Sequence, residues 1–132
     1  YKKVFKKKPN FAILGLNPHN FSSLRKSEEK EIIIKAIKNL IKLRIKAIGP
    51  VAPDSSFVSF NKNKFDVIIG MYHDQVLTPF KALFNFDAIN VTLGLPYIRT
   101  SPDHGVAENI IGKRIANPRS LIESIKFFNY IK

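Results

Sequence analysis

The 132-residue sequence predicts an α/β fold in which a layered sheet is flanked by helices. Short apolar runs that end near Gly, Pro or Asn alternate with longer segments whose apolar residues recur at helical spacing. The apolar fraction is 45%, and eleven Phe residues can fill a core. These two observations favour one compact α/β domain or part of a larger one.

Four extended segments are predicted along the chain. The first ends at Asn17-Pro18, a typical turn pair. A second begins at Ala47-Ile48 and is expected to be broken by Gly49-Pro50. Runs of apolar residues predict buried strands at 11–16 and 66–71 and a further strand at 88–93.

The clearest helix is predicted over residues 27–46. Ser27 can cap it, and three glutamates suit its positive N-terminal end. Its apolar stripe consists of Ile33, Ile37, Leu40 and Ile41.

Other helices are expected at 74–84 and at 118–131, the latter capped by Asn117 with Pro118 at its first position. A short helix is expected near Ser55, and residues 97–105 are expected to form a polar loop.

Composition narrows the class of protein. The chain has no cysteine, which excludes disulfides and thiolate metal sites and favours a reducing, cytoplasmic setting. No apolar run approaches the ~20 residues of a membrane span.

The net charge of +12 raises the alternative of nucleic-acid binding. Because the lysines are scattered and no arginine stripe interleaves with aromatics, solvated helix faces are the favoured explanation.

Polar residues follow three predicted strands at the point where each ends. His19 follows the first strand, His73-Asp74 follows the 66–71 strand, and Arg99 through His104 follow the 88–93 strand. Ligands of α/β proteins gather at the carboxyl ends of strands, so a ligand site is expected there.

Imidazoles are common ligands of Zn²⁺ and similar ions, so His19 and His73 are candidate metal ligands, although two are an incomplete set. For each histidine alone, a hydrogen-bonded structural role is the alternative. Asp74 is expected either to hold the His73 ring or to cap the following helix.

Four further positions carry candidate functional residues. Lys81 is a candidate proton donor or phosphate ligand, Arg99 can clamp a phosphate or carboxylate, and each can equally be a solvated side chain. Asn90 lies in an apolar strand, where a polar side chain needs a partner. His104-Gly105, before a predicted helix, can form a nucleotide- or anion-binding turn, although there is no G-x-G-x-x-G or P-loop signature.

Five stretches together resemble a known family. They are "LGLNPHN", "GPVAPDSSF", "DVIIGMYHDQVLTPFK", "INVTLGLPYIRTSPDHG" and "GVAENIIGKRIANP". Their order is similar to that in 4-hydroxythreonine-4-phosphate dehydrogenases of vitamin B6 biosynthesis, which have an isocitrate/isopropylmalate dehydrogenase-like fold. The resemblance implies that residues 1–132 are one C-terminal segment of a larger dehydrogenase, incomplete at its N-terminus. In that segment, 1–8 are a basic connection and 9–132 bind substrate, metal and NAD.

The resemblance also implies an activity. The family oxidises 4-phosphooxy-L-threonine with NAD⁺, and the product loses CO₂ to give 3-amino-2-oxopropyl phosphate. A divalent metal (Zn, Mg or Co) binds through three histidines at a homodimer interface.

Residue by residue, His19 and His73 match two of the metal ligands. The family's substrate contacts match Lys81, Asn90 and Arg99, and the His104-Gly105 loop resembles its nucleotide contact. Lys81 and Asp74 are the candidate catalytic residues.

The sequence departs from this family in two ways. Residues 20–23 read Asn-Phe-Ser-Ser where the family has small and acidic residues. The third metal histidine and a His-Thr substrate pair belong to an N-terminal half that the sequence lacks, so these 132 residues alone are expected not to turn over substrate. Three alternatives remain: a dehydrogenase of threonate or erythronate 4-phosphate, an inactive remnant, and a basic nucleic-acid-binding module.

Overall fold

The computed structural model describes residues 1–18, 26–58 and 65–131. These residues divide into two compact units. The first comprises Tyr1–Lys2 and Lys7–Pro79, and the second comprises Lys3–Lys6 and the chain from Phe80 onward. Parallel strands flanked by helices confirm the predicted α/β class.

The first unit is built on a three-stranded parallel sheet. Its strands are β1 (Phe11–Leu14), β2 (Ala47–Val51) and β3 (Val67–Ile69), in the order β2-β1-β3. Within β1, Ala12 and Leu14 are fully buried. A central strand covered on both faces is expected to be apolar throughout, as the run at 11–14 is.

One helical segment covers this sheet. It begins with a π-helical turn at Glu29–Ile33 and continues as an α-helix over Ile34–Lys42. Ser27 Oγ lies 3.4 Å from the backbone N–H of Lys30, which confirms the predicted N-cap. The predicted stripe buries Ile33 and Ile37 against Ile13 and Ala47, whereas Ile41 is exposed.

Three expectations for the first unit were wrong. The helix ends at Lys42, and Arg44 follows with a positive φ of 59°. Gly49-Pro50 does not break β2, which runs through a cis peptide bond to Val51. β2 is an edge strand, where a proline needs no hydrogen-bonding partner for its nitrogen. The described residues 53–58 form turns rather than the short helix expected near Ser55.

The helices, numbered in chain order, are α1 (Lys2–Phe5), α2 (Ile34–Lys42), α3 (His73–Phe84) and α4 (Arg119–Lys126). Single 3₁₀ turns occupy Asn85–Asp87, Glu108–Ile110 and Phe127–Tyr130. The predicted 74–84 helix is therefore confirmed, with Pro79 inside it. In the part of the chain that the structure describes, no helix has the length and apolarity needed to cross a membrane.

The second unit contains a hairpin rather than a continuation of the parallel sheet. β4 (Ile89–Thr92) pairs antiparallel with β5 (Arg99–Pro102). Residues 97–105 were expected to form a polar loop, but four of them form β5. β5 was missed because its "RTSP" sequence has no apolar alternation and ends in proline.

Helix α4 packs on this hairpin. Asn117 Oδ1 accepts a 2.9 Å hydrogen bond from the Arg119 N–H, as a capping side chain does. Pro118, however, is not the first helical residue as predicted, because α4 begins at Arg119. The helix ends at Lys126 and a 3₁₀ turn replaces its predicted last residues. Thr100 donates its hydroxyl to the Ser124 carbonyl at 3.2 Å, which joins β5 to α4.

Candidate active site

The histidine that follows β3 is oriented by its neighbour. His73 is the first residue of α3, and its Nδ1 lies 2.7 Å from Asp74 Oδ1. A carboxylate acceptor places a proton on Nδ1, which in a neutral imidazole leaves the lone pair on Nε2. Both side chains are exposed, at 75% and 81%. This is the arrangement by which a carboxylate orients a metal-binding imidazole.

The rest of the predicted metal set is not described. His19 and the divergent residues 20–23 lie outside the described ranges. Within residues 1–18, 26–58 and 65–131, no group of three His, Cys, Asp or Glu side chains could hold a metal ion. Among the described residues, His73 is therefore a single candidate ligand, and a three-membered metal set is not present there.

A buried glutamine, which sequence reasoning missed, fixes the backbone on both sides of this site. Gln75 donates through Nε2 to the carbonyl oxygens of Gly15 (2.9 Å) and Leu16 (3.3 Å). Its Oε1 accepts a hydrogen bond from the Met71 N–H at 2.8 Å. The side chain thus joins the end of β1 to the turn that leads into His73.

A buried glutamate holds the same segment from the other side. Glu29 Oε1 accepts a 2.8 Å hydrogen bond from the backbone N–H of Asn17, two residues before His19. This hydrogen bond holds the pKa of the Glu29 carboxyl below its ordinary value. Sequence reasoning assigned Glu29 only to the helix terminus, because nothing local reveals a partner twelve residues away.

In the second unit, the hairpin places two predicted substrate residues on one face. Asn90 is paired with Ser101, and Thr92 with Arg99. Alternate residues of a strand share a face, and directly opposed residues share it too, so Asn90 and Arg99 lie diagonally on the same face. Arg99 donates to Thr92 Oγ1 at 2.9 Å.

That face is exposed, because both Asn90 and Arg99 are exposed. Asn90 does lie in a strand, as predicted, but its side chain is exposed rather than enclosed among apolar neighbours. An exposed amide and an exposed guanidinium on one face can meet a phosphate or a carboxylate.

The third predicted substrate residue contacts the end of β5. Lys81 donates through Nζ to the backbone carbonyl of Asp103 at 3.0 Å. Its Nζ also lies 3.7 Å from the Asp103 carboxylate, and 44% of the lysine side chain is exposed. A cation is therefore available next to the predicted nucleotide loop.

That loop is open. His104 is exposed, with Nδ1 3.1 Å from the Gly105 carbonyl oxygen. A side chain at Gly105 would meet nothing within 4 Å. A three-residue 3₁₀ turn at Glu108–Ile110 follows, so the expectation of a helix there was wrong and a helix N-terminus does not support the nucleotide prediction.

A cavity of about 540 Å³ lies elsewhere in the first unit. Its lining includes Phe11 and Ala47, the first residues of β1 and β2, together with Ile41 and residues 44–46. These are the amino ends of the strands, whereas His73 follows the carboxyl end of β3. The cavity is therefore not the candidate site.

One unit has a histidine that follows a parallel strand and is oriented by its neighbour, and the other has exposed groups suited to anions. These features are typical of ligand-binding α/β proteins. The family described as "Pyridoxal phosphate biosynthetic protein PdxA" matches residues 1–128. The chain belongs to this family. Its relatives are named dehydrogenases, so the family is one of oxidoreductases.

Among curated relatives, a 4-hydroxythreonine-4-phosphate dehydrogenase of Sulfurihydrogenibium is 46% identical over 126 residues, which are 95% of this chain and 38% of that protein. The same enzyme of Bacteroides thetaiotaomicron is 48% identical over 118 residues, covering 89% of this chain and 32% of its own length.

The solved structure of the Klebsiella pneumoniae 4-hydroxythreonine-4-phosphate dehydrogenase has a TM-score of 0.79 and 33% identity. It covers 99% of this chain, which spans 41% of that structure. The chain thus spans about a third to two-fifths of the length of these relatives.

Proposed function

We propose that this chain is the C-terminal part of an NAD-dependent and metal-dependent 4-hydroxythreonine-4-phosphate dehydrogenase of pyridoxal 5′-phosphate synthesis. The main support for this proposal is the family match over residues 1–128. That range includes the candidate site residues His73, Lys81, Asn90, Arg99 and His104. The reaction is oxidation of 4-phosphooxy-L-threonine and decarboxylation to 3-amino-2-oxopropyl phosphate. The enzyme works in the cytoplasm as a homodimer, with its metal at the subunit interface.

His73 would hold a divalent metal through Nε2, together with His19. Asp74 accepts the Nδ1 proton of His73, which fixes the tautomer and the direction of Nε2. Gln75 and Glu29 hold the two backbone segments from which these histidines extend. A metal held there would supply Lewis-acid polarisation of the substrate hydroxyl, and bound NAD⁺ would supply the hydride acceptor.

Three side chains bind the anionic groups of the substrate. Arg99 offers a planar fork that suits a phosphate or carboxylate, and Asn90 on the same face adds an amide donor. Lys81 supplies a point charge and is the residue that donates a proton. The His104-Gly105 segment contacts the nucleotide.

The test uses the protein made from its complete reading frame with added divalent metal. NADH formation is followed with 4-phosphooxy-L-threonine and, in parallel, with D-threonate 4-phosphate. We expect turnover of the first substrate and its loss in His73→Ala. Lys35→Ala, which changes an exposed residue of α2, is the matched control and should leave turnover unchanged.

Turnover of the second substrate alone would keep the mechanism and change the pathway. Turnover of neither by a folded protein would reject the proposal and favour an inactive remnant.

A further inference from the structure

A buried carboxylate beside Lys81 has no assigned role. Asp103 directly follows β5, and only 8% of its side chain is exposed. Its Oδ2 is buried and has no hydrogen-bond partner among the described residues. A buried carboxylate oxygen without a hydrogen-bond partner is unfavourable for folding, so a role of Asp103 outside folding is worth seeking.

The cation beside that carboxylate is Lys81. Its Nζ lies 3.7 Å from Asp103 Oδ2 and 3.0 Å from the backbone carbonyl oxygen of the same residue. An ammonium group has three donors, so after the carbonyl is satisfied two remain. One can turn toward Oδ2 while the other points to a ligand, because the lysine side chain is 44% exposed.

Asp103 is the fixed member of this pair. Its N–H donates to Ser120 Oγ at 2.8 Å, and that hydroxyl donates to the Ala88 carbonyl at 2.6 Å. Ser120 is 1% exposed. The backbone of Asp103 is therefore anchored to both α4 and the residue before β4, whereas the long lysine side chain is the adjustable partner.

We propose that Asp103 is a positioning residue for Lys81: its carboxylate and its backbone carbonyl together hold the ammonium where an anionic group of the substrate meets it. This inference rests on the proposed function of Lys81. The Asp103 carboxylate would then contribute little to folding stability while ordering the Lys81 ammonium. Such a residue is an example of the trade-off between stability and activity.

The test is a double-mutant cycle in the protein made from its complete reading frame. We expect Asp103→Asn to raise KM for 4-phosphooxy-L-threonine about tenfold, the loss typical of one hydrogen bond to a charged group, with a smaller change in kcat. In the Lys81→Ala background, Asp103→Asn should add no further loss, because its effect acts through the lysine. The free energy of unfolding of Asp103→Asn should be unchanged or higher.

Asp87→Asn is the matched control. It makes the same change of charge in the same unit but at an exposed aspartate paired with Arg119, so KM should not change. Equal losses from Asp103→Asn with and without Lys81, or an unchanged KM, would overturn the proposal.

A second measurement does not need turnover. Reductive methylation with peptide mapping reports how freely the Lys81 amine reacts. Asp103→Asn should speed labelling of Lys81 about threefold, because the lysine loses its charged carboxylate partner. Asp87→Asn should leave the labelling rate unchanged. If the wild-type enzyme turns over no substrate, the proposed function fails, and unchanged labelling of Lys81 would separately overturn the positioning role.

Discussion

At the scale of single residues, Gln75 gives the sharpest prediction. Replacing it by leucine keeps the volume but leaves the Met71 N–H and the Gly15 carbonyl unpaired in a buried place. We expect Gln75→Leu to lower the free energy of unfolding by about 2–4 kcal/mol, since each unsatisfied group costs about 1–3 kcal/mol. Urea denaturation measures this change.

Thr78→Ala is the matched control for Gln75→Leu, because Thr78 is exposed on the same helix. Its effect should stay within about 0.5 kcal/mol. A loss for Gln75→Leu no larger than that of the control would mean that the glutamine does not hold the two segments together.

Glu29 predicts how stability changes with pH. Its pKa is lowered chiefly by the hydrogen bond from the Asn17 N–H, so the folded value lies below that of the unfolded chain. The charged carboxylate therefore stabilises the fold above the unfolded pKa, and this contribution is lost as pH falls through the folded pKa. Glu29→Gln keeps an acceptor oxygen but cannot titrate, so its stability should fall less steeply as the solution is acidified.

Unfolding by urea at a series of acidic pH values measures that slope. Some acid sensitivity should persist in Glu29→Gln, because the Lys7 ammonium also holds the pKa of Asp66 low. Identical slopes for the wild-type protein and Glu29→Gln would show that the Asn17 contact does not form in solution.

The residues that sequence reasoning found and missed differ in the range of their contacts. His73-Asp74 stood out because a titratable pair follows an apolar run, and the bond between them is between neighbours. Gln75 reaches a backbone carbonyl 60 residues away. A side chain that hydrogen-bonds to backbone groups far away in the sequence leaves no local sequence pattern. Neither residue spacing nor composition could therefore reveal the role of Gln75.

At the scale of elements, the Ser120 hydroxyl joins α4 to both ends of the hairpin region through two hydrogen bonds. Ser120 Oγ links the Asp103 N–H to the Ala88 carbonyl, whereas Ser124 Oγ bonds within its own helix to the Ser120 carbonyl. Ser120→Ala should lower the free energy of unfolding by about 2–3 kcal/mol, because it leaves two buried groups unpaired.

Ser124→Ala is the control for this prediction, since it removes a local bond from an equally buried serine of α4. Its loss should be about 1 kcal/mol or less. If thermal or urea unfolding gives equal losses for the two variants, the long-range bonds of Ser120 contribute nothing beyond a local one.

Elements were predictable where local chemistry and tertiary packing agreed. β1, α2 and the Asn117 cap follow from apolar runs, helical spacing and a capping side chain. β5 follows only from its pairing with β4, since "RTSP" carries no strand pattern. Pro50 in β2 likewise looked like a break because the edge position that tolerates it is a property of the whole sheet.

At the scale of the whole molecule, the chain spans about a third to two-fifths of its relatives, and its described part offers no three-membered metal set. We therefore expect the 132 residues alone to form no NADH from 4-phosphooxy-L-threonine, while the product of the complete reading frame does. The comparison is made at matched protein and metal concentrations. Turnover by the 132 residues alone would show that they already contain a full catalytic set.

The net charge of +12 gives the last prediction. Lysines and arginines number 22 against 10 acidic residues, but they are scattered along the chain, and Lys35, Lys7 and Lys126 are each paired with a carboxylate. Nonspecific contacts to phosphates weaken steeply with salt, so binding to duplex DNA or to RNA should be lost near ~0.15 M salt. Fluorescence anisotropy with labelled oligonucleotides measures this. A dissociation constant that stays below about 1 μM at that salt would mean tighter binding than ordinary nonspecific contacts give. That result would favour the nucleic-acid-binding alternative.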